Sequence, residues 1–229
     1  MGTRGIWGFR KDGIDKVIYK QFDCYPGGLG KEIFGMLKLN DPDRLSVFFE
    51  KIIVIDRSIP PTDEQKMYCK KMGWYNRSVS TKNDNDWYCL LRELQEPFIF
   101  QDSIDDDKTV YIDNYIHFIR DSLMCEYGYI FDLNTLELEF YEGRQREPAE
   151  NNRYGTENDD DGYYPCKLIW MFSYDLIKTT GLKRLTGLIS MAEESMRYKE
   201  DLEDYPNLEY ENENGVFLFR KRDTSLSRN

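Results

Sequence analysis

Apolar side chains cluster early in two short blocks, Ile6, Trp7 and Phe9, then Val17, Ile18, Tyr19 and Phe22, with Lys11-Asp12-Gly13 between them. Two apolar segments around an Asp-Gly turn predict a β-hairpin over residues 3–10 and 15–22. Gly5 and Gly8 leave gaps in the first strand, which predicts something close against that backbone, a helix or a ligand. After the glycine-rich run Tyr25–Gly30, Lys31–Leu39 reads as a helix closed by Asn40-Asp41-Pro42. A second helix is expected over Pro42–Lys51, with Asp41 as N-cap and Pro42 at the first helical position. Ile52–Ile55 follows as a strand. A helix over Glu64–Met72 starts at Thr62 and stops at Gly73, and another over Trp87–Gln95 ends at Pro97.

The second half is richer in strands. Asn114–Asp121 is expected to be helical, and Cys125–Leu133 and Leu136–Glu142 form antiparallel strands around Asn134-Thr135. Leu136, Leu138 and Phe140 alternate with Glu137 and Glu139, the period-two signature of a half-buried strand. Residues 143–162 break the pattern with a long polar loop, an uncommon length inside a compact domain unless the loop is functional or mobile. Lys167–Tyr174 is the most apolar run and reads as a central strand buried on both faces. Leu182–Leu202 is expected to be helical, Glu193–Glu213 to be a solvated acidic helix face and linker, and Gly215–Arg220 to be a last strand. Hairpins and helices in this order predict an α+β fold: one domain over residues 1–229, a mixed sheet beginning with the N-terminal hairpin and packed with helices.

Charge narrows the partners. With 42 acidic against 31 basic residues the formal net charge is −11, so direct binding to duplex nucleic acid or to an anionic membrane surface is not expected. No run approaches the roughly 20 apolar residues that span a bilayer, and there is no stretch like a signal peptide. The five cysteines are scattered and never paired as C-x-x-C, which fits a reducing cytoplasm and neither a disulfide framework nor a zinc site.

Candidate chemistry is sparse. Gly27, Gly28 and Gly30 lie between a strand and a helix, where backbone N–H groups cradle phosphates or carboxylates, although the P-loop spacing is absent and the simpler reading is a turn. Glu157-x-Asp159-x-Asp161-Gly162 resembles the opening of a calcium loop, but its twelfth position is Leu168, which leaves a solvated acidic loop. No metal or cofactor is expected. His117 is the single histidine, so a nucleophile–base pair would need Cys24 or Cys125 brought to it by folding. Arg4, Asp23, Asp86 and Glu126 stand beside segment ends and aromatic or glycine residues, as groups that line a cleft or tie down turns.

Those same stretches carry a resemblance. Met1–Gly5, Phe22–Gly30, Asp86–Arg92, Cys125–Tyr129 and Gly162–Pro165, in this order over about residues 1–175, resemble a family of uncharacterised proteins encoded by bacteria and their phages. The resemblance implies kinship and assigns no activity. In layout alone, the chain is also similar to N-terminal-nucleophile hydrolases, whose first strand begins at the catalytic residue and whose second is followed by an aspartate. Thr3 and Asp23 take those places here, while the residue exposed by removal of Met1 is Gly2, which has no nucleophilic side chain.

Two functional readings follow. In one, an acidic interaction protein occupies a basic surface on a host or defence protein, steered by its field and anchored by exposed Tyr and Trp. In the other, a pocket at the hairpin lined by Arg4, Asp23, Trp87 and Glu126 hydrolyses an amide. Thr3 or Cys24 then attacks, Asp23 orients, Arg4 holds an anionic group, and Gly27, Gly28, Gly30, Asp86 and Trp87 complete the binding site.

Overall fold

The computed structural model of the chain describes residues 2–181, 184, 187, 208–213 and 216–221. Its first feature is the expected hairpin, β1 (Gly5–Lys11) and β2 (Ile14–Lys20). Asp12 and Gly13 both take positive φ, 51° and 79°, the turn geometry that matches the right-handed twist of the flanking strands. The neighbour predicted for the β1 glycines is a strand on each side, neither helix nor ligand. A Cβ on Gly5 would sit 2.2 Å from the Tyr127 carbonyl oxygen, and one on Gly8 the same distance from that of Lys16.

Strand β1 pairs parallel to β5 (Tyr127–Asp132), which turns back antiparallel into β6 (Glu137–Glu142) and then β7 (Lys167–Ser173). With β8 (Leu208–Glu213) and β9 (Val216–Lys221), the mixed sheet runs β2-β1-β5-β6-β7-β9-β8. Strand β9 fulfils the expectation at Gly215–Arg220. Strand β8 corrects the reading of an acidic linker, because Leu208–Glu213 pairs antiparallel with β9 along its whole length. The expected helix Leu182–Leu202 lies outside the described residues apart from isolated positions.

Helices cover one face of the sheet. Against Trp7, Phe9, Tyr129, Phe131, Phe140 and Phe172 pack α1 (Lys31–Leu39), α2 (Pro42–Lys51), α5 (Pro97–Asp105) and α6 (Tyr174–Thr179). Edge-to-face aromatic pairs lock the layers, Trp7 on Phe100 at 4.7 Å and Phe34 on Phe172 at 5.4 Å between ring centres. Both α1 and α2 have the predicted bounds. Asp41 stands at the α2 N-cap, but its carboxylate turns to Lys178 (3.2 Å) and Tyr174, so the helix relies on Pro42 and not on a side-chain cap. Helix α3 (Asp63–Lys71) carries the complete capping box of Thr62 and Gln65 and stops at Gly73, φ 75°.

Pro97 works opposite to expectation. It opens α5 at the first helical position, where its missing N–H costs nothing, while α4 (Trp87–Leu90) is a single turn that ends well before it. Asn114–Asp121 contains only a 3-10 turn, Ile116–Arg120, and β4 (Val110–Ile112), which the apolar pattern did not reveal, pairs parallel with β3 (Ile52–Val54) in a separate small sheet.

The second face of the main sheet holds Ile6, Val17, Ile130 and Tyr141 under Ile119 and Tyr154. Here the alternation along β6 misleads, because Glu139 is not solvated but 7% exposed. The long loop lies over it as a strap. Arg153 binds the Glu139 carboxylate with both Nη atoms, and Asn152 donates to the Cys166 carbonyl at 3.0 Å. Beyond, Asp159 accepts from the backbone N–H of Asp161 and of Tyr163 (3.0 and 2.8 Å), so the calcium-like run is a self-satisfied turn. Strand β7 is buried on the helix side only, and its Leu168 and Met171 stay half-buried beside the strap. Among the described residues no helix is long and apolar enough to cross a membrane.

Candidate functional site

Chain entry into β1 brings four of the sequence-derived candidates together. The Arg4 carbonyl accepts from the N–H of Glu126 (2.9 Å), and the Glu126 carboxylate accepts from the Arg4 N–H (3.4 Å) and from Arg144 Nη2 (2.6 Å). The Thr3 carbonyl accepts from the Cys24 N–H at 3.4 Å. Arg4 places Nη2 3.6 Å from Met124 Sδ. These contacts fasten the start of β1 to the start of β5.

The two candidate attackers are poorly placed for chemistry. Thr3 Oγ1 is enclosed without a hydrogen-bond partner. Cys24 is fully buried, its Sγ within 3.3 Å of the Lys20 carbonyl, and burial pushes its thiol up to about 12. At neutral pH it is a thiol, not a thiolate. The other four cysteines are free and buried as well. His117 is exposed and stacks on Tyr115, which leaves it on the outside of the fold while every cysteine lies inside.

The glycine turn is structural. Pro26–Gly30 forms one wide turn that runs straight into α1, and two of its N–H groups are consumed internally: Gly28 donates to Tyr25 and Leu29 to Asp23, both at 2.9 Å. A Cβ on Gly28 would meet the Asp23 carbonyl oxygen at 2.4 Å, while one on Gly30 would press on the Tyr129 ring at 3.2 Å. Gly27 is exposed. Asp23 itself takes a left-handed φ of 56° to start the turn and holds its side chain in solvent.

That turn presents a surface in which charge and aromatic area coincide. Phe22 and Tyr25 flank Asp23 and are 54% and 44% exposed. Glu32, in the first turn of α1, lies within hydrogen-bonding reach of Glu96, and Asp23 adds its field. Burial, and after it the neighbouring carboxylates of Glu96 and Asp23, hold the Glu32 carboxyl above its ordinary value against the lowering effect of Lys20. Lys20, buried, pairs with Glu96. Phe98, two residues past Glu96, is 61% exposed. Three carboxylates with one buried lysine, beside the exposed rings of Phe22 and Tyr25, make a negatively charged surface that carries aromatic area.

Asp86 and Trp87 belong elsewhere. Asp86 caps α4 by accepting from the Tyr88 N–H at 3.0 Å, which is a structural role. Trp87 is buried, donates to the Ile59 carbonyl at 2.9 Å, and lines a narrow cleft of about 40 Å³ with Tyr19, Arg57, Tyr88, Arg92, Asp113 and Tyr115. Arg57 is tied to Asp113 and the Tyr115 hydroxyl, and Arg92 donates to Gln21 Oε1 at 2.8 Å. Arg4 reaches this cleft only through its field on Tyr19. The pocket predicted from Arg4, Asp23, Trp87 and Glu126 is therefore three places: a tied-down strand start with Arg4 and Glu126, the solvent side of the glycine turn with Asp23, and a tyrosine–arginine cleft with Trp87.

Sequence reasoning missed Glu32 and Glu96. Glu32 and Glu96 stand in separate helical regions, and nothing in local spacing announces that α1 and the start of α5 pack side by side. Among the described residues no group of His, Cys, Asp and Glu is arranged to hold a metal ion. Comparison of the chain with family models, with curated proteins and with solved structures gives no match.

Proposed function

We propose that the protein is a binding protein that docks a basic surface of a partner protein through the face formed by Phe22, Asp23, Tyr25, Glu32 and Glu96. The observation that carries this reading is the crowding of carboxylates at Glu32 and Glu96 amid exposed rings. Two acids forced together gain most from an incoming Lys or Arg, which relieves their repulsion, while the rings supply apolar area and cation–π contact. Exposed aromatic side chains are also what interface cores favour. The net charge of −11 steers such a partner from a distance. The anchors differ from those expected, since all four tryptophans are buried and the surface offers Tyr and Phe. The resemblance to proteins of bacteria and their phages makes a bacterial host or defence protein the partner to seek. An amide hydrolase draws less support, because Thr3 and Cys24 offer no activated nucleophile.

The test immobilises the wild-type chain beside a triple variant, Phe22→Ser, Glu32→Gln and Glu96→Gln, and exposes both to a bacterial lysate at low and then high salt. The captured protein is then purified and titrated back. The expected result is a basic protein held by the wild type, released by salt, and bound at least tenfold more weakly by the variant. Equal affinity for both chains would remove the face from the reading, and a partner indifferent to salt would remove its electrostatic basis.

A further inference from the structure

On the other side of the sheet the strap roofs a cleft of about 520 Å³, within the size range of small-molecule sites. Its floor is Leu168 and Met171 of β7 with Leu218 of β9, and its wall is the strap from Pro148 to Arg153. Lys167 lines the same cleft. Arg153 spends its charge on Glu139 behind it, and Glu150, which also lines the cleft, turns to solvent on the strap. Lys167 is different: no ion pair or hydrogen bond joins its side chain to another described residue, and Glu142, across the ladder from it, feels it only through its field.

We propose that this cleft binds a small amphipathic carboxylate, an acyl or aryl acid whose apolar part lies on Leu168, Met171 and Leu218 and whose carboxylate pairs with Lys167. An apolar floor with one unspent cation selects for that class. A neutral apolar molecule leaves the ammonium unanswered, and a multiply charged one finds too little charge and too much carbon. The strap explains how the site holds its shape, because the Arg153–Glu139 pair and the Asn152–Cys166 hydrogen bond pin the wall to the sheet at two points. This site is separate from the docking face and does not depend on it.

Octanoate serves as the probe and octanamide as its uncharged counterpart, with methyl-13C methionine-labelled protein observed by NMR. The Met171 signal is assigned through Met171→Leu. The expected result is a saturable shift of the Met171 methyl with octanoate, at least tenfold weaker binding of octanamide, and at least tenfold weaker octanoate binding in Lys167→Gln. A second variant, Ala149→Trp, narrows the cleft from the strap and is expected to abolish the shift while the remaining methionine signals stay in place. Octanamide binding as tightly as octanoate, unchanged affinity in Lys167→Gln, or shifts confined to other methionines would each overturn the assignment.

Discussion

Arg153, carried on the long strap, grips both carboxylate oxygens of Glu139 in the middle of β6, and the Tyr141 hydroxyl donates to the same carboxylate at 3.0 Å. Removing one partner of such a pair strands the other charge in a low-dielectric setting. The Arg153 side chain is still partly wet, which places the cost of Glu139→Gln at the lower end of the range, about 2 to 3 kcal/mol. Urea denaturation measures it. The double variant Glu139→Leu with Arg153→Met should recover part of the loss, because it removes both charges and leaves only neutral hydroxyl partners such as Tyr141 to be re-satisfied.

Glycines separate by what surrounds them. Gly5→Ala drives a methyl group into the Tyr127 carbonyl oxygen and forces β1 away from β5, an overpacking expected to cost about 1 to 3 kcal/mol. Gly35, inside α1, should behave oppositely, because a methyl group added there would stand in open space with nothing within 4 Å. Gly35→Ala should raise stability by up to about 1 kcal/mol through helix propensity alone. Thermal or urea unfolding of the two variants checks both signs.

Thiol chemistry offers a third check. Burial pushes Cys24 and Cys69 up to about 12 and holds Cys125 well above its ordinary value, so the native protein should react negligibly with a thiol-specific disulfide reagent at pH 8. In guanidinium chloride all five cysteines should react. Rapid modification of Cys24 in the folded chain would reopen its role as a nucleophile.

The pH dependence follows from Glu32 and Glu142, whose carboxyls are both raised, first by burial. A carboxyl that holds its proton more firmly in the folded chain favours folding below the ordinary carboxylate range, and that advantage is lost as pH rises through the elevated value. The urea midpoint should therefore be higher near pH 5 than near pH 7.5. Glu32→Gln and Glu142→Gln should each flatten the difference.

Local rules made the first half of the fold legible. The Asp12-Gly13 turn, Pro42 at a helix start, the Thr62–Gln65 capping box and the Gly73 stop all act within a few residues, and each element they bound is present. What escaped depended on distant partners. Glu139 looked solvated because its cover, Arg153, arrives from a loop fourteen positions on. Strand β8 looked like an acidic linker because a strand at the sheet edge needs no apolar alternation to pair. The same limit applied to the site. Asp23 was legible beside its turn, whereas the carboxylates of Glu32 and Glu96 meet only because α1 and α5 pack together.

The docking face itself is tested most directly by zero-length carbodiimide cross-linking of the protein to its purified basic partner, with the linked sites mapped by mass spectrometry. That chemistry joins a carboxylate to a lysine only where the two touch. The account predicts links concentrated at Asp23, Glu32 and Glu96 that disappear at high salt. Links concentrated instead on the acidic turn at Glu157, Asp159, Asp160 and Asp161, with none at those three residues, would contradict it.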